Sequence, residues 1–536
     1  MAIRQLTGGL IAFAMAFGTA GYALAADAPD EKAPAARPAK GGQWDEQRHD
    51  SKGSVTVGGA TIEYTAVSGS IMIEDKKDQP GAMMTYTAYF KKAEGGTTHR
   101  PITFLYNGGP GSASFWLHMG SLGPKRVVVG DAEHTASAPY KVLQNEYSGL
   151  DASDLVFVDA PGTGFSRVGV NLKNVEPEKA DAAAKRNAEQ RADFYGVDQD
   201  GRAFTIFITK FLNKFDRWNS PRFLFGESYG TMRSAVLAHM LQRANIDLNG
   251  VMLLSQVLNY GSGSDAGRHE IGEDIPFQMS LPSYAATAWY HHKVANQPDL
   301  EAFLAEVKRF DIQEFGPALM LGDSLPAEQK RALAQKLSGM IGLPADYIER
   351  ADLRILGGMF RKKLLEDQGL IVGRLDGRYT GVPQDPMAKE NDYDPQSAAI
   401  SSAYTAAYND YARTTLGFGK DDDFHPTADS IRGWDTKHQP PGTQLQLAKT
   451  TNVIPDLSAT IKQNPKMKVM LMSGYYDLAT LWYAGEYELG HMGLPPDLMK
   501  NVRIEHFKTG HMVYVNEDAL KQLHGLFSQF VTANSK

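Results

Sequence analysis

In the stretch FLFGESYGTMRSAVLAHM, Phe223 to Met240, a short apolar run enters Gly226-Glu227-Ser228-Tyr229-Gly230 and leaves as a helical pattern. Few folds accommodate that passage. A strand that stops abruptly and turns straight into a helix lifts the corner side chain out of the sheet. Only small residues two positions to either side let the backbones cross so closely. Ser228 stands at that corner, held up like a nucleophile. The pattern GxSxG is short and arises by chance in ordinary turns, so its surroundings matter. Upstream, Phe204, Phe207, Ile208, Phe211, Phe215 and Trp218 recur at helical spacing, which predicts a helix over Ala203–Trp218 packed on a sheet. Pro221 ends the connection, so the order is helix, strand, elbow, helix.

The rest of the chain supplies the sheet. From Ser54 to about Lys92 the runs SVTVGG, GSIMIED and MMTYTAYFKK predict antiparallel strands. After Arg100, PITFLY, DLVFVDAP, RFLFGES, GVMLLSQ, KVMLMSG and VRIEHF are short apolar runs without clean alternation, as expected of parallel strands covered by helices on both faces. Between the fourth and fifth runs lies a long excursion, residues 262–455, with helical patterns over Leu300–Arg309 and Pro326–Ile341 and then polar, proline-rich loops. It reads as a helical cap inserted into an α/β core formed by residues 51–261 and 456–536.

The first residues predict a signal peptide over residues 1–25: one cation at Arg4, an apolar run around Leu10–Phe17, then Ala23-Leu24-Ala25. That run is too short and too glycine-bearing for a spanning helix, so no stable membrane association is expected. Residues 26–50 follow as a disordered linker rich in Ala, Pro, Lys and Asp. Export would permit disulfides, yet there is no cysteine, so stability must come from a large core, which 536 residues can bury. A net charge of −7 with mixed signs offers no basic patch for nucleic acid.

A serine nucleophile needs a base, an orienting acid and an oxyanion site. In α/β-hydrolases these follow in chain order: nucleophile, acid, histidine. Downstream of Ser228, Asp477 comes just after a strand in KVMLMSGYYDLAT, and His511 just after another in VRIEHFKTGHMVYV. Histidine titrates near neutrality and can take and return the serine proton, while the aspartate fixes its tautomer. Taken singly, Asp477 reads equally well as a solvated turn carboxylate and His511 as a surface or capping histidine; their order and placement after the two final strands set them apart. One oxyanion donor is the backbone N–H of Tyr229. The other must come from an early strand-to-helix loop, and Asn107-Gly108-Gly109-Pro110-Gly111 follows the PITFLY strand, although Gly-Pro-Gly is also common in plain turns.

NGGPGSAS, FVDAPGTGFS, GESYG, the YYD of SGYYD and the GHM of KTGHMVY, in this order over residues 60–525, resemble the serine carboxypeptidases. The resemblance implies an α/β-hydrolase fold and an exported bacterial enzyme that removes C-terminal residues from peptides. By position it implies Ser228, Asp477 and His511 as the triad and the N–H groups of Gly109 and Tyr229 as the oxyanion hole. It also implies that Asn107, Gly108 and Glu227 hold the substrate's terminal carboxylate. Glu227 must then be protonated, since only the neutral carboxyl can donate to a carboxylate. The chain departs from the family pattern at four places: Leu105 stands where many members have tryptophan, Ser121 where a second glutamate would pair with Glu227, Ser112 for cysteine and Tyr514 for proline.

FVDAPGTGFS reads as a structural wall beside the elbow, with Asp159 in it, and His118 as a core histidine near the oxyanion loop. His269, His291 and His292 lack metal-ligand spacing, so neither metal nor cofactor is expected. The expected partners are peptides with a free C-terminus, and the expected location is a Gram-negative periplasm or the medium. Two other functions use the same residues differently: an esterase or acyltransferase with the same triad, favoured by Ser121 and Leu105, and a non-catalytic binding protein on a hydrolase scaffold.

Overall fold

The computed structural model describes residues 44–92, 99–268, 271–428, 433–446 and 450–535. The segment read as a signal peptide, and the linker as far as residue 43, lie outside them. A mixed sheet forms the centre. Strands β1 (Arg48–Val57), β2 (Ala60–Glu74) and β3 (Pro80–Lys91) make an antiparallel meander. Strands β4 (Ile102–Tyr106), β5 (Asp154–Val158), β6 (Arg222–Glu227), β7 (Gly250–Leu254), β8 (Lys468–Gly474) and β9 (Val502–Phe507) are parallel to one another, in the order β1-β2-β3-β5-β4-β6-β7-β8-β9. β3 joins the parallel part antiparallel to β5. β1 begins at Arg48, so the extended chain starts inside the segment read as linker to residue 50.

Every residue of β4, β5 and β7 is buried. Successive side chains feed opposite faces: Phe104 and Leu224 enter one apolar cluster, Leu105 and Phe225 the other. This two-sided burial is why the runs lack alternation. The Leu105 face carries α1 (Phe115–Gly120), and the Phe104 face carries α2 (Val197–Lys214) and α3 (Tyr229–Arg243). Between β7 and the return to the sheet lie α4 (Ile275–Tyr290), α5 (Leu300–Phe310), α6 (Ala327–Ile341) and α7 (Pro395–Asp410). Then α8 (Ile454–Gln463) packs on the α3 side, and α9 (Glu517–Ala533) follows β9 on the α1 side.

Helices α4 to α6 share a third apolar cluster with Tyr476, Leu478, Leu481 and Trp482 from the segment after β8. The inserted helices are thereby anchored beside Asp477. The helix read over Ala203–Trp218 is displaced: α2 runs from Val197 to Lys214, burying Phe204, Phe207, Ile208 and Phe211, whereas Trp218 is 45% exposed. Asp216 adopts a left-handed φ of 52° and reverses the chain, so Arg217 turns inward onto Asp154 (2.7 Å) in place of Trp218. Among the described residues no helix is long and apolar enough to cross a membrane.

Candidate active site

Ser228 joins β6 to α3 with φ 59° and ψ −131°, outside the wells a non-glycine residue normally occupies. Such a conformation costs on the order of 1–3 kcal/mol and persists only where neighbours enforce it. Here they do. A Cβ on Gly226 would stand 2.5 Å from the Gly230 carbonyl carbon, and one on Gly230 2.9 Å from the Tyr106 carbonyl oxygen, so both glycines are needed for the crossing. The Ser228 N–H donates to the Leu254 carbonyl at the end of β7 (3.0 Å). Glu227, Tyr229 and Gly230 are buried, while Ser228 keeps part of its surface exposed.

Asp477 and His511, on the loops after β8 and β9, meet at the same sheet edge. His511 Nδ1–H donates to Asp477 Oδ2 at 2.7 Å, which leaves Nε2 as the nitrogen able to take a proton. Asp477 is fully buried. Its Oδ1 accepts the N–H groups of Ala479 (2.8 Å) and Thr480 (2.9 Å), and Oδ2 also lies 2.7 Å from Thr480 Oγ1. Ser255 Oγ–H donates to the His511 carbonyl (2.6 Å), tying the histidine loop to the end of β7. Burial pulls the imidazole down, but the charge and hydrogen bond of Asp477, with Glu227 behind, outweigh it and raise its pKa above 6.5. A histidine so placed binds a proton readily, as a general base requires.

The loop after β4 lies against the elbow. A Cβ on Gly108 would stand 2.6 Å from Gly230 N and 2.7 Å from the Glu227 carbonyl oxygen, with Tyr229 N nearer still. Gly109 follows at φ 104° and is exposed. Asn107, Glu227 and Tyr514 are buried together beside it. Asn107 Oδ1 accepts the Leu117 N–H (3.0 Å), its side chain hydrogen-bonds Glu227, and the Tyr514 hydroxyl donates to Glu227 Oε2 at 2.8 Å. Burial raises the Glu227 pKa to about 7, against the opposing pull of His511 and the two hydrogen bonds. The Ser121 hydroxyl donates to the Leu117 carbonyl (2.6 Å).

Supporting residues surround the site. Arg233, one helical turn beyond the elbow and almost fully buried, donates to the Asn107 carbonyl (2.7 Å) and to Asp200 Oδ2 (2.7 Å), with its guanidinium against the rings of Phe204, Tyr106 and Tyr229. Asp159 anchors the other end of the loop: Oδ1 accepts the Ser114 N–H (2.8 Å) and Oδ2 the Thr85 hydroxyl (3.2 Å). Burial raises its pKa to about 6 despite these bonds. His118 is a core residue, stacked on Phe157 and 2.6 Å from the Tyr89 hydroxyl, with burial depressing its pKa to about 3.

Sequence reasoning missed the segment Arg374–Arg378, which stitches the loops of Asp477 and His511 together. The Leu478 N–H donates to the Arg374 carbonyl (3.1 Å), the His511 N–H to the Leu375 carbonyl (2.7 Å) and the Gly510 N–H to Asp376 Oδ2 (3.1 Å). Asp376 is held in turn by Arg378 (2.7 Å). These residues sit in the polar stretch of the insertion and carry no periodicity; the only local clue is DGR, a turn that closes on itself. Of the other histidines, His291 Nε2 lies 2.7 Å from the Gly377 carbonyl, and His269 is outside the described residues.

The family model described as serine carboxypeptidase matches residues 61–302, a span that includes the Asn107–Gly111 loop and the elbow but ends before Asp477 and His511. Two Arabidopsis thaliana proteins are similar. Serine carboxypeptidase-like 36 is 24% identical over 271 residues, 47% of this chain and 49% of that protein. Serine carboxypeptidase-like 45 is 21% identical over 228 residues, 40% of this chain and 41% of that protein. The chain thus matches about half the length of these curated relatives or less. Among solved structures, a prohormone-processing carboxypeptidase from Saccharomyces cerevisiae superposes with a TM-score of 0.51 at 15% identity, covering 87% of this chain and 91% of that one. With the parallel sheet order and the elbow, that likeness shows the fold. The chain has the α/β-hydrolase fold.

Proposed function

We propose that the chain is a serine carboxypeptidase, removing C-terminal residues from peptides through an acyl-enzyme. One observation carries this reading: beside the partly exposed Ser228, a buried carboxyl, Glu227, shares a polar pocket with the Asn107 amide and the Tyr514 phenol. A charged carboxylate there would oppose the negative intermediate. Burial keeps Glu227 protonated up to about neutrality, so it can instead donate to an incoming terminal carboxylate. The partial family match and the two serine carboxypeptidase-like relatives support the same reading.

In this mechanism the Ser228 hydroxyl attacks the scissile carbonyl while His511 Nε2 takes its proton, and Asp477 stabilises the imidazolium. The N–H groups of Gly109 and Tyr229 hold the oxyanion, and Asn107, Gly108 and Glu227 hold the terminal carboxylate. His511 returns the proton to the leaving amine, and water then repeats the sequence in reverse on the acyl-serine. Residues 1–25 direct bacterial export, to a Gram-negative periplasm or the medium, which N-terminal sequencing of the native protein would test.

The deciding experiment incubates the purified protein with blocked dipeptides, their C-terminal amides and simple esters, following products by mass. Below neutral pH the free acids should have the higher kcat/KM among the peptides. Cleavage of esters without free acids would instead favour an esterase or acyltransferase, and no turnover with no labelling by a fluorophosphonate a non-catalytic binding protein.

A further inference from the structure

If the chain acts as a carboxypeptidase, Tyr514 has a place in how it selects substrates. Tyr514 lies three residues after His511 and is 3% exposed, with its hydroxyl 2.8 Å from Glu227 Oε2. Its ring occupies space left by a missing side chain: a Cβ on Gly120 would stand 2.6 Å from Tyr514 Cδ2 and 2.5 Å from the Tyr404 hydroxyl. Gly120 ends α1, so the place beside Glu227 is filled by a phenol from the segment after β9 and made accessible by a glycine at a helix end. The groups that act on Glu227 are His511 and Asp477 from the loops after β8 and β9, Asn107 from the loop after β4, Tyr404 from α7, and Tyr514 itself.

We propose that Tyr514 is a positioning residue for substrate selection, its phenol holding Glu227 and setting the upper pH at which the enzyme accepts peptides with a free C-terminus. A phenol donating to a carboxyl oxygen favours the ionised carboxyl and so works against the burial that keeps Glu227 protonated. The phenol does not compete as an acid, because burial and the nearby Glu227 carboxylate push its own pKa well above 10. As pH rises through the Glu227 midpoint, the pocket loses the proton it would donate and places a negative charge before the substrate carboxylate. Ser228, His511 and Asp477 remain in place. The preferred substrate should therefore change from free acids below that midpoint to neutral C-termini, amides and esters, above it.

The test compares wild type, Tyr514→Phe, Glu227→Gln and the double variant. KM is measured against pH for a blocked dipeptide acid and for its methyl ester. Losing a hydrogen bond that favours the ionised carboxyl raises its midpoint by on the order of one pH unit. Tyr514→Phe should accordingly move the rise in KM for the acid upward by on the order of one pH unit, leaving kcat on the ester within about threefold. In the Glu227→Gln background the same substitution should leave the KM profile flat. An unmoved or downward midpoint in Tyr514→Phe, or an equal effect in both backgrounds, overturns the proposal. Infrared difference spectra of the carboxyl band, with Glu227→Gln as reference, read the same midpoint without turnover. If free acids are not cleaved but the infrared midpoint rises in Tyr514→Phe, the carboxypeptidase reading fails while the control of Glu227 by Tyr514 stands; an infrared midpoint that does not rise refutes that control.

Discussion

Gly108→Ala is the sharpest perturbation of the Asn107–Gly111 loop, the proposed oxyanion site. The new methyl would meet Gly230 N at 2.6 Å, the Glu227 carbonyl oxygen at 2.7 Å and Tyr229 N closer still, all backbone atoms of the elbow. A real Cβ does not approach within 3.0 Å, so the loop must retreat by at least 3.0 − 2.6 = 0.4 Å from Gly230 and further from Tyr229. Neither partner can rotate away, because the elbow is pinned by the Gly226–Gly230 crossing and the Asn107 carbonyl is held by Arg233. The displacement therefore falls on Gly109 and its N–H. Losing one oxyanion donor lowers kcat by roughly 10²–10³, about 2.7–4 kcal/mol. Overpacking should cost a further ~1–3 kcal/mol of stability. The assay is kcat and KM on a chromogenic ester, with circular dichroism and a urea melt confirming that the variant is folded. A folded Gly108→Ala protein with kcat within threefold of wild type would refute the placement of the oxyanion hole at this loop.

Ser228→Ala should abolish turnover without unfolding the protein, and a fluorophosphonate should label Ser228 but not Ser528, although Ser528 also lies beside a histidine and a carboxylate, His524 and Asp151; peptide mapping by mass decides. Arg233→Met should destabilise the fold by about 3–5 kcal/mol, because it strands the buried Asp200 carboxylate, and should slow ester hydrolysis by loosening Asn107, as urea melts and kcat would show. His438, buried between Asp198 (2.6 Å) and Asp456 (2.7 Å), is pulled down by burial but raised further by the two carboxylates, to about 9. Its folded pKa exceeds its unfolded one, so its contribution is complete below about pH 6.5 and lost as pH rises through about 9. The wild-type melting temperature should fall over that window more steeply than that of His438→Gln; parallel curves would show that the imidazolium does not hold Asp198 to Asp456.

The strands and the elbow were legible in the sequence because their causes are local. Two-sided burial is written into runs such as DLVFV and GVMLL, and the tight crossing at Ser228 into glycines two positions away on each side. The candidate positions Ser228, Asp477 and His511 could be picked out because each sits at a strand end in an order the topology requires. What holds them was not legible. Ser255 on His511, Asp376 on Gly510, and Arg233 under Asn107 are contacts between residues far apart in the chain, and nothing in their own neighbourhoods marks them. Trp218 shows the limit from the other side: helical spacing placed it inward, but a single left-handed residue at Asp216 sent Arg217 to the interior instead. The layered α/β architecture and the point where the nucleophile candidate emerges follow from local sequence, since steric and burial rules act within a few residues. That Glu227 is buried, that its partner is the phenol of Tyr514, 287 positions away, and that its proton is held near neutrality are properties of the folded chain alone, because desolvation and hydrogen bonding depend on what the whole fold brings together.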